Sequence, residues 1–146
     1  MRHWIVDREA VAIDSWREAL PGAELLRRDD IAGARFAGPG IVWARMRFGE
    51  TVNQAISGVD RSSGQPLVVL ADDPDERVII DALTAGAAGC CNSHAAPAVL
   101  RQVALVVGNG GLWVGQSLLR KLVGVTSHRL GPVSYTHLTL PTNREV

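Results

Sequence analysis

Asp7 is the first acidic residue in this sequence of 146 and a candidate ligand for a cation. It ends an apolar segment that begins at His3, and Arg8 follows it. A carboxylate can bind Mg²⁺, which requires oxygen ligands, but one acid alone is a weak ligand set. We therefore expect Asp7 to pair with Arg8, with Arg45 or with a backbone donor.

Asp72, Asp73 and Ser93 also follow apolar segments. The two acids could lend a carboxylate to a site, although such residues just before a helix typically have a capping or turn role. Ser93 precedes His94, and this pair could suggest acyl transfer. However, adjacent residues at a strand end rarely converge, and the sequence has no Gly-x-Ser-x-Gly motif. The pair therefore does not predict a hydrolase.

Histidine and cysteine show no metal-binding pattern in the sequence. His3, His94 and His128 lack metal-ligand spacing, and the adjacent Cys90 and Cys91 do not form a Cys-x-x-Cys motif. Neighbours on a strand point to opposite faces, so these thiols are poorly placed to form a disulfide. We expect both to be small apolar residues of a buried strand.

The composition is that of a globular domain. The sequence is 47% hydrophobic and 21% charged, and its formal net charge is zero. This charge gives no indication of binding to nucleic acid or to an anionic membrane. No apolar run reaches the roughly 18 residues of a membrane span, and the N-terminus lacks the apolar stretch of a signal peptide. We expect a cytoplasmic protein without membrane contact.

Strand and helix patterns alternate along the chain. Strands are predicted at 3–7, 23–27, 41–46, 66–71 and 90–92, and helices at 9–20, 51–59, 75–85, 97–107 and 112–123. Residues 28–40 have room for only a short second helix. Five β/α units predict an α/β, flavodoxin-like, doubly wound parallel sheet of strand order 2-1-3-4-5. Its functional rim is expected at the carboxyl ends of the strands.

Several motifs in the second half of the chain are similar to those of a known family. They are PLVVLADDPDE at 66–76, ALTAGAAG at 82–89, AAPAVL at 95–100 and GNGGLWVG at 108–115. In this order they resemble the receiver domains of bacterial response regulators, in the subfamily that carries a LuxR/NarL-type helix-turn-helix. The resemblance covers residues 1–123. It implies a CheY-like fold followed by a linker helix and a DNA-binding domain, the last of which is missing here.

The resemblance also implies a phosphorylation site, most of which this sequence lacks. In the family, acids after the first strand and a phosphoacceptor aspartate hold Mg²⁺, while a hydroxyl and a lysine contact the phosphoryl group. The family's third strand matches Gly40–Met46 through Arg45 and Met46, which places Trp43 at the acceptor position. The other positions carry Asp7 and Arg8 for the acid pair, Ala71 for the hydroxyl, Ser93 for the lysine and Cys90 for the aromatic switch residue.

The last residues form a different kind of sequence. From Val133 they resemble translated sequencing-adapter read-through, and they have neither helical nor strand periodicity. We therefore treat 131–146 as a non-native, unstructured tail. The chain then divides into a receiver-like domain at 1–111, a linker helix region at 112–130 and this tail. The natural protein is expected to continue past Leu130.

These observations predict a pseudo-receiver, the regulatory domain of a two-component-type transcription regulator that acts without phosphorylation. We expect no enzymatic activity, no cofactor and no Mg²⁺ binding. The partner is expected to be another protein or a second copy bound through the last helices, with DNA contact only through the missing domain. Trp43 is expected to fill the acceptor pocket beneath Arg8 or Arg45. The alternative is a stand-alone receiver-like adaptor or ligand-binding domain with no DNA-binding segment.

Overall fold

Strands and helices alternate in the computed structural model, which describes residues 1–31, 36–60 and 64–114. The strands are β1 (Arg2–Asp7), β2 (Glu24–Arg27), β3 (Gly40–Met46), β4 (Leu67–Ala71) and β5 (Gly89–Asn92). The α-helices are α1 (Asp14–Ala19), α2 (Val52–Ile56), α3 (Glu76–Thr84) and α4 (Pro97–Gly108). Each of the five predicted strands is therefore present, with its bounds shifted by no more than one residue.

The strands form one parallel sheet in the order β2-β1-β3-β4-β5. This is the order of a flavodoxin-like, CheY-like fold and confirms the prediction. The central strand β4 is a continuous apolar run with every residue buried, because both faces of the sheet are covered. The carboxyl ends of all five strands consequently lie along one edge of the domain.

Two apolar cores lie on the two faces of the sheet. On one face α2 and α3 contribute Val52, Ile79 and Ala82, and on the other α1 and α4 contribute residues that include Trp16 and Leu100. Since neighbouring strand residues point to opposite faces, consecutive residues of each strand enter different cores.

Two helices differ from the sequence-based expectation. The first helix begins at Asp14 and not at residue 9, so that residues 8–13 form a loop at the carboxyl end of β1. Helix α2 ends at Ile56 and not at residue 59.

The predicted second helix and linker helix are only partly covered by the described residues. After β2 the chain forms a 3₁₀ turn at Arg28–Asp30, and residues 32–35 lie outside the description. Residues 112–114, expected to begin the linker helix, are instead extended: Trp113 pairs with Gly89 of β5. The rest of the predicted linker helix and the predicted tail lie outside the described residues.

Within the described ranges no helix combines the length and the apolar character needed to cross a membrane.

Candidate functional site

The carboxyl edge of the sheet brings together charged and polar residues from four segments. Val6 of β1 is paired with Ala44 of β3, so Asp7 lies beside Arg45 in the next row of the sheet. Asp72 and Ser93 follow β4 and β5 and complete the cluster. We call Asp7, Arg45, Arg47, Asp72 and Ser93 the rim network.

Asp7 is fully buried, and donors contact both of its oxygens. Arg47 binds it with two bonds, from Nε to Oδ1 at 2.8 Å and from Nη2 to Oδ2 at 2.9 Å. Arg45 donates from Nη1 to Oδ2 at 3.4 Å, and the backbone N–H of Arg8 donates to Oδ1 at 2.7 Å. The predicted pairing of Asp7 with Arg45 and with a backbone donor is confirmed. The hydrogen bond from Arg47 to Asp7 raises the pKa of the Arg47 guanidinium.

Arg45 lies between two carboxylates. Its Nε is 3.1 Å from Asp72 Oδ1 and its Nη2 is 3.3 Å from Asp72 Oδ2, while its Nη1 contacts Asp7. The guanidinium carbon lies 5.6 Å from the ring centre of Trp16, a cation–π distance. Trp16 in turn donates its indole N–H to the Ser93 carbonyl oxygen at 2.8 Å. Through Trp16, helix α1 thus contacts the Arg45 guanidinium and is hydrogen-bonded to the residue that follows β5.

Asp72 is bound by Arg45 and by Ser93, and its role differs from the expected one. It accepts hydrogen bonds from Arg45 and from the Ser93 hydroxyl, and its side chain is 7% exposed. Burial alone would raise the pKa of Asp72, but the bonds from Ser93 and Arg45 outweigh this effect and lower it. The helix cap is Asp75, whose side chain accepts from the Val78 N–H at 2.9 Å. The expected capping role of Asp72 is therefore wrong.

A second ion-pair cluster lies next to the rim network. Glu50 accepts two bonds from Arg28, at 2.8 and 3.1 Å, and one from the Arg47 backbone N–H at 2.8 Å. Burial would raise the pKa of Glu50, but the Arg28 and Arg47 bonds more than compensate and lower it. Arg28 also donates to the Arg45 carbonyl oxygen at 3.1 Å, which links the two clusters. Arg8 was predicted to form a degenerate acid pair with Asp7. Its side chain is 53% exposed, and its Nη1 makes a long contact with Glu50 Oε2, at 3.9 Å.

Trp43 does not lie at the rim. Its side chain is fully buried in the core beneath α1 and α4, and its indole Nε1 donates to His3 Nδ1 at 3.1 Å. His3 is the second residue of β1, so the indole is directed toward the amino end of the sheet. The expectation that Trp43 packs beneath Arg8 or Arg45 at the rim is wrong, because the aromatic ring under Arg45 is that of Trp16.

The remaining predicted site residues are buried elements of the sheet. Ala71 is the last residue of β4, and the Ser93 N–H donates to its carbonyl oxygen at 2.9 Å. Cys90 enters the core under α2 and α3 and Cys91 the opposite core, as expected for strand neighbours. Both are free thiols, and burial raises the pKa of each to about 12. Thiols with so high a pKa are unreactive at neutral pH.

Sequence reasoning overlooked Arg47, Trp16 and Arg28 as parts of the site. The available signal for Arg47 was its spacing: it lies two residues after Arg45, so that both side chains can leave the strand end on the same side. Trp16 and Arg28 come from a helix and from a turn, and nothing in their local sequence indicates the rim. Among the described residues, no group of three or more acidic, histidine or cysteine side chains is arranged to hold a metal ion.

Comparisons with known proteins support the fold. No family model matches the sequence, and no curated protein matches it. Among solved structures, the chain is similar to the crystal structure of the response regulator ChrA from a heme-sensing two-component system. The two share 15% sequence identity with a TM-score of 0.50, over 92% of this chain and 68% of that one. This similarity shows a receiver-like fold.

Proposed function

We propose that this chain is a receiver-like regulatory domain that works without phosphorylation. The observation that carries the proposal is Arg45, whose guanidinium lies between the carboxylates of Asp7 and Asp72 at the carboxyl edge of the sheet. In receiver domains the acceptor carboxylate shares a cation with the acids after the first strand, so it must lie beside them. Arg45 lies beside Asp7, whereas Trp43 is paired with Ile5, two residues further back along the strand. We therefore assign the acceptor place to Arg45 in preference to Trp43.

The rim network does not fit phosphoryl transfer. A guanidinium is a donor without an accepting lone pair, so Arg45 cannot attack a phosphoryl group. Mg²⁺ requires free oxygen ligands, but Asp7 is bound by two arginines, whose positive charges would repel the ion. Ala71 has no hydroxyl, and Ser93 uses its hydroxyl on Asp72 and carries no charge. The arginines thus take the place that a cation would have in a phosphorylated receiver.

Without phosphoryl chemistry, the domain would act by binding another protein or a second copy through its last helices. The motifs quoted above favour the LuxR/NarL type, a cytoplasmic transcription regulator whose DNA-binding domain follows the linker. On this proposal the domain is not an enzyme and needs no cofactor, and residues 131–146 are read-through sequence. Reading the uninterrupted gene tests this part: about 60 further residues with three helices should follow the linker.

Incubation with acetyl phosphate and Mg²⁺ tests the central proposal. The intact mass should stay unchanged, while a phosphorylatable response regulator treated in parallel gains one phosphoryl group. Arg45→Asp is the informative variant. It should also remain unmodified, because the hydroxyl and lysine positions carry Ala71 and Ser93. Mg²⁺-dependent phosphorylation of the unmodified chain would overturn the proposal. If the Arg45→Asp variant is phosphorylated and the unmodified chain is not, Arg45 is the one residue that prevents phosphorylation.

The alternative, a ligand-binding domain, is favoured by one observation. An open pocket borders the Glu50–Arg28 cluster and is lined by Arg8 and by the exposed Phe48.

A further inference from the structure

Helix α4 ends in a tight turn that depends on glycine. The Gly110 N–H donates to the Val107 carbonyl oxygen at 3.0 Å, and the Gly111 N–H donates to the Val106 carbonyl oxygen at 2.9 Å. Gly110 has a φ of 88°, in the left-handed region that glycine adopts without strain. This pair of bonds with a left-handed glycine is a Schellman motif. The end of α4 is therefore a defined cap.

Asn109 is the C-cap residue of α4, and its side chain belongs to the same cap. Its Nδ2 donates to the Leu105 carbonyl oxygen at 2.8 Å. The last carbonyl groups of a helix have no partners within the helix, so this amide satisfies one of them. The Asn109 side chain is needed here as a donor, which an amide provides and a carboxylate does not.

An asparagine followed by glycine can lose its side-chain nitrogen without an enzyme. The backbone nitrogen of Gly110 attacks the Cγ of Asn109 and closes a succinimide ring. The Cγ–Nδ2 bond breaks, and ammonia leaves with the proton of the Gly110 N–H. Water then opens the ring, which gives aspartate or isoaspartate. Glycine favours the attack because it has no Cβ to crowd its nitrogen and its backbone rotates freely.

The folded cap holds both reacting groups in hydrogen bonds. The Gly110 N–H is bound to Val107 and the Asn109 Nδ2 to Leu105, so the cap must open before the ring can close. This opening is local, because residues 108–110 are all exposed and helix ends are among the parts of a protein that open at the lowest cost. The reaction is therefore accessible from the folded domain.

Aspartate at residue 109 would weaken the end of α4. A carboxylate cannot donate to the Leu105 carbonyl oxygen, and its charge would lie at the negative end of the helix dipole. Isoaspartate would also carry the main chain through an additional methylene group. The N–H groups of Gly110 and Gly111 would then no longer reach the same carbonyl oxygens.

The cap of α4 leads directly to the residue that pairs with β5. The Trp113 N–H donates to the Ala88 carbonyl oxygen at 2.9 Å, and the Cys90 N–H donates to the Trp113 carbonyl oxygen at 3.1 Å. Only residues 110–112 separate Asn109 from Trp113. A change in the course of the chain at residue 109 therefore reaches this pairing.

We propose that Asn109 is a site of spontaneous deamidation and that the modified residue loosens the pairing of Trp113 with β5. The contact between residues 112–114 and the sheet thus depends on the age of the protein. This inference goes beyond the proposed function and does not depend on it, because deamidation and phosphorylation are observed separately.

Incubation of the full chain at mildly alkaline pH, followed by tryptic mass spectrometry, tests the site. Peptide 102–120, in which Asn109 is the one asparagine, should exchange an amide NH₂ for a hydroxyl. Asn53 and Asn92 are the internal controls, because they are exposed but precede residues with a side chain. They should react at least about tenfold more slowly, a ratio that needs only a small difference in activation barrier.

Two variants test the effect on β5. Asn109→Asp reproduces one product, and Asn109→Gln keeps an amide that does not readily close the ring. Hydrogen exchange of the Cys90 amide should be faster in Asn109→Asp and in the incubated wild type than in the fresh wild type. Incubation should not change this exchange in Asn109→Gln. The amides of β3 should keep their protection throughout, because the change is confined to the edge of the sheet.

Two results would overturn the proposal. If Asn109 is modified no faster than Asn92, the closed cap prevents the attack, and residue 109 is not a deamidation site. If the Cys90 amide exchanges equally fast in Asn109→Asp and in the fresh wild type, the modification does not reach Trp113.

Discussion

At the residue scale, Arg45 decides the properties of the rim. A buried guanidinium bound by two carboxylates is stable only while both partners are present, because a buried charge without a partner is costly. Asp7 and Asp72 depend on it in turn, although Arg47 and Ser93 support them. The cluster therefore behaves as a unit, unlike an exposed ion pair.

Arg45→Gln should lower the free energy of unfolding by about 3–5 kcal/mol, the usual cost of breaking a buried ion pair. Urea denaturation of the purified chain measures this change. Arg77→Gln is the control: its pair with Asp81 is exposed, and such pairs contribute about 0–1 kcal/mol. Equal effects of the two variants would mean that the rim network contributes no more than a surface pair.

Trp43 and His3 form a second residue-scale unit at the opposite end of the sheet. Because the indole N–H donates to His3 Nδ1, this nitrogen must be unprotonated, and the imidazole is neutral. Burial lowers the pKa of His3 below its ordinary value of 6.5. Protonation of His3 Nδ1 would bring its N–H donor against the indole N–H of Trp43, next to the core that contains the Trp43 ring. The positive charge of the N-terminal amino group lowers the pKa of His3 further.

The pH dependence of stability should report on His3. Its folded-state pKa is lowered, so its contribution is complete above the unfolded value of 6.5 and is lost as pH falls below it. Urea midpoints measured from pH 8 down to about pH 5 should fall in the wild type. They should be flatter in His3→Gln, whose amide oxygen can accept from Trp43 without titrating. Parallel curves for the two proteins would mean that protonation of His3 does not cause the loss of stability.

At the scale of elements, β5 joins the rim to residues 112–114. Ser93 at its end binds Asp72, while the Cys90 N–H donates to the Trp113 carbonyl oxygen at 3.1 Å. The Trp113 N–H donates to Ala88 at 2.9 Å. Trp113 thus pairs with the outer edge of β5 beside Gly89 and provides the acceptor for the Cys90 N–H.

Gly89→Ala should loosen this edge. A Cβ at residue 89 would lie 3.0 Å from the Trp113 carbonyl oxygen and 3.1 Å from its Cβ, so Trp113 would have to move. Hydrogen exchange of the Cys90 amide should accelerate while the amides of β3 keep their protection. Gly40→Ala is the comparison: its Cβ would lie 2.5 Å from the Arg2 carbonyl oxygen, inside the sheet. Gly40→Ala should destabilise the whole domain. Unchanged exchange of the Cys90 amide in Gly89→Ala would contradict the predicted displacement of Trp113.

At the scale of the whole molecule, the domain consists of one parallel sheet between two helical layers, with charged clusters at its carboxyl edge. The pattern of 131–146 predicts that these residues add nothing to this architecture. Deleting 133–146 should therefore change the free energy of unfolding by less than about 1 kcal/mol, the average effect of a single substitution. Thermal unfolding of the full chain and of residues 1–132 measures this difference. A larger loss would mean that the tail packs against the domain.

The sequence alone determined the strands and their order, because apolar runs such as 66–71 are local patterns and parallel β/α units have few allowed arrangements. It also indicated that Asp7 would pair with an arginine. Tertiary structure decided which side chains meet at the rim. The pairing of β1 with β3 joins segments about 40 residues apart in sequence, and it places Arg45 beside Asp7 and Trp43 two residues further back, opposite Ile5. A shift of two residues keeps the same face of the strand, so the hydrophobic pattern could not distinguish these positions, and only the register of the folded sheet does.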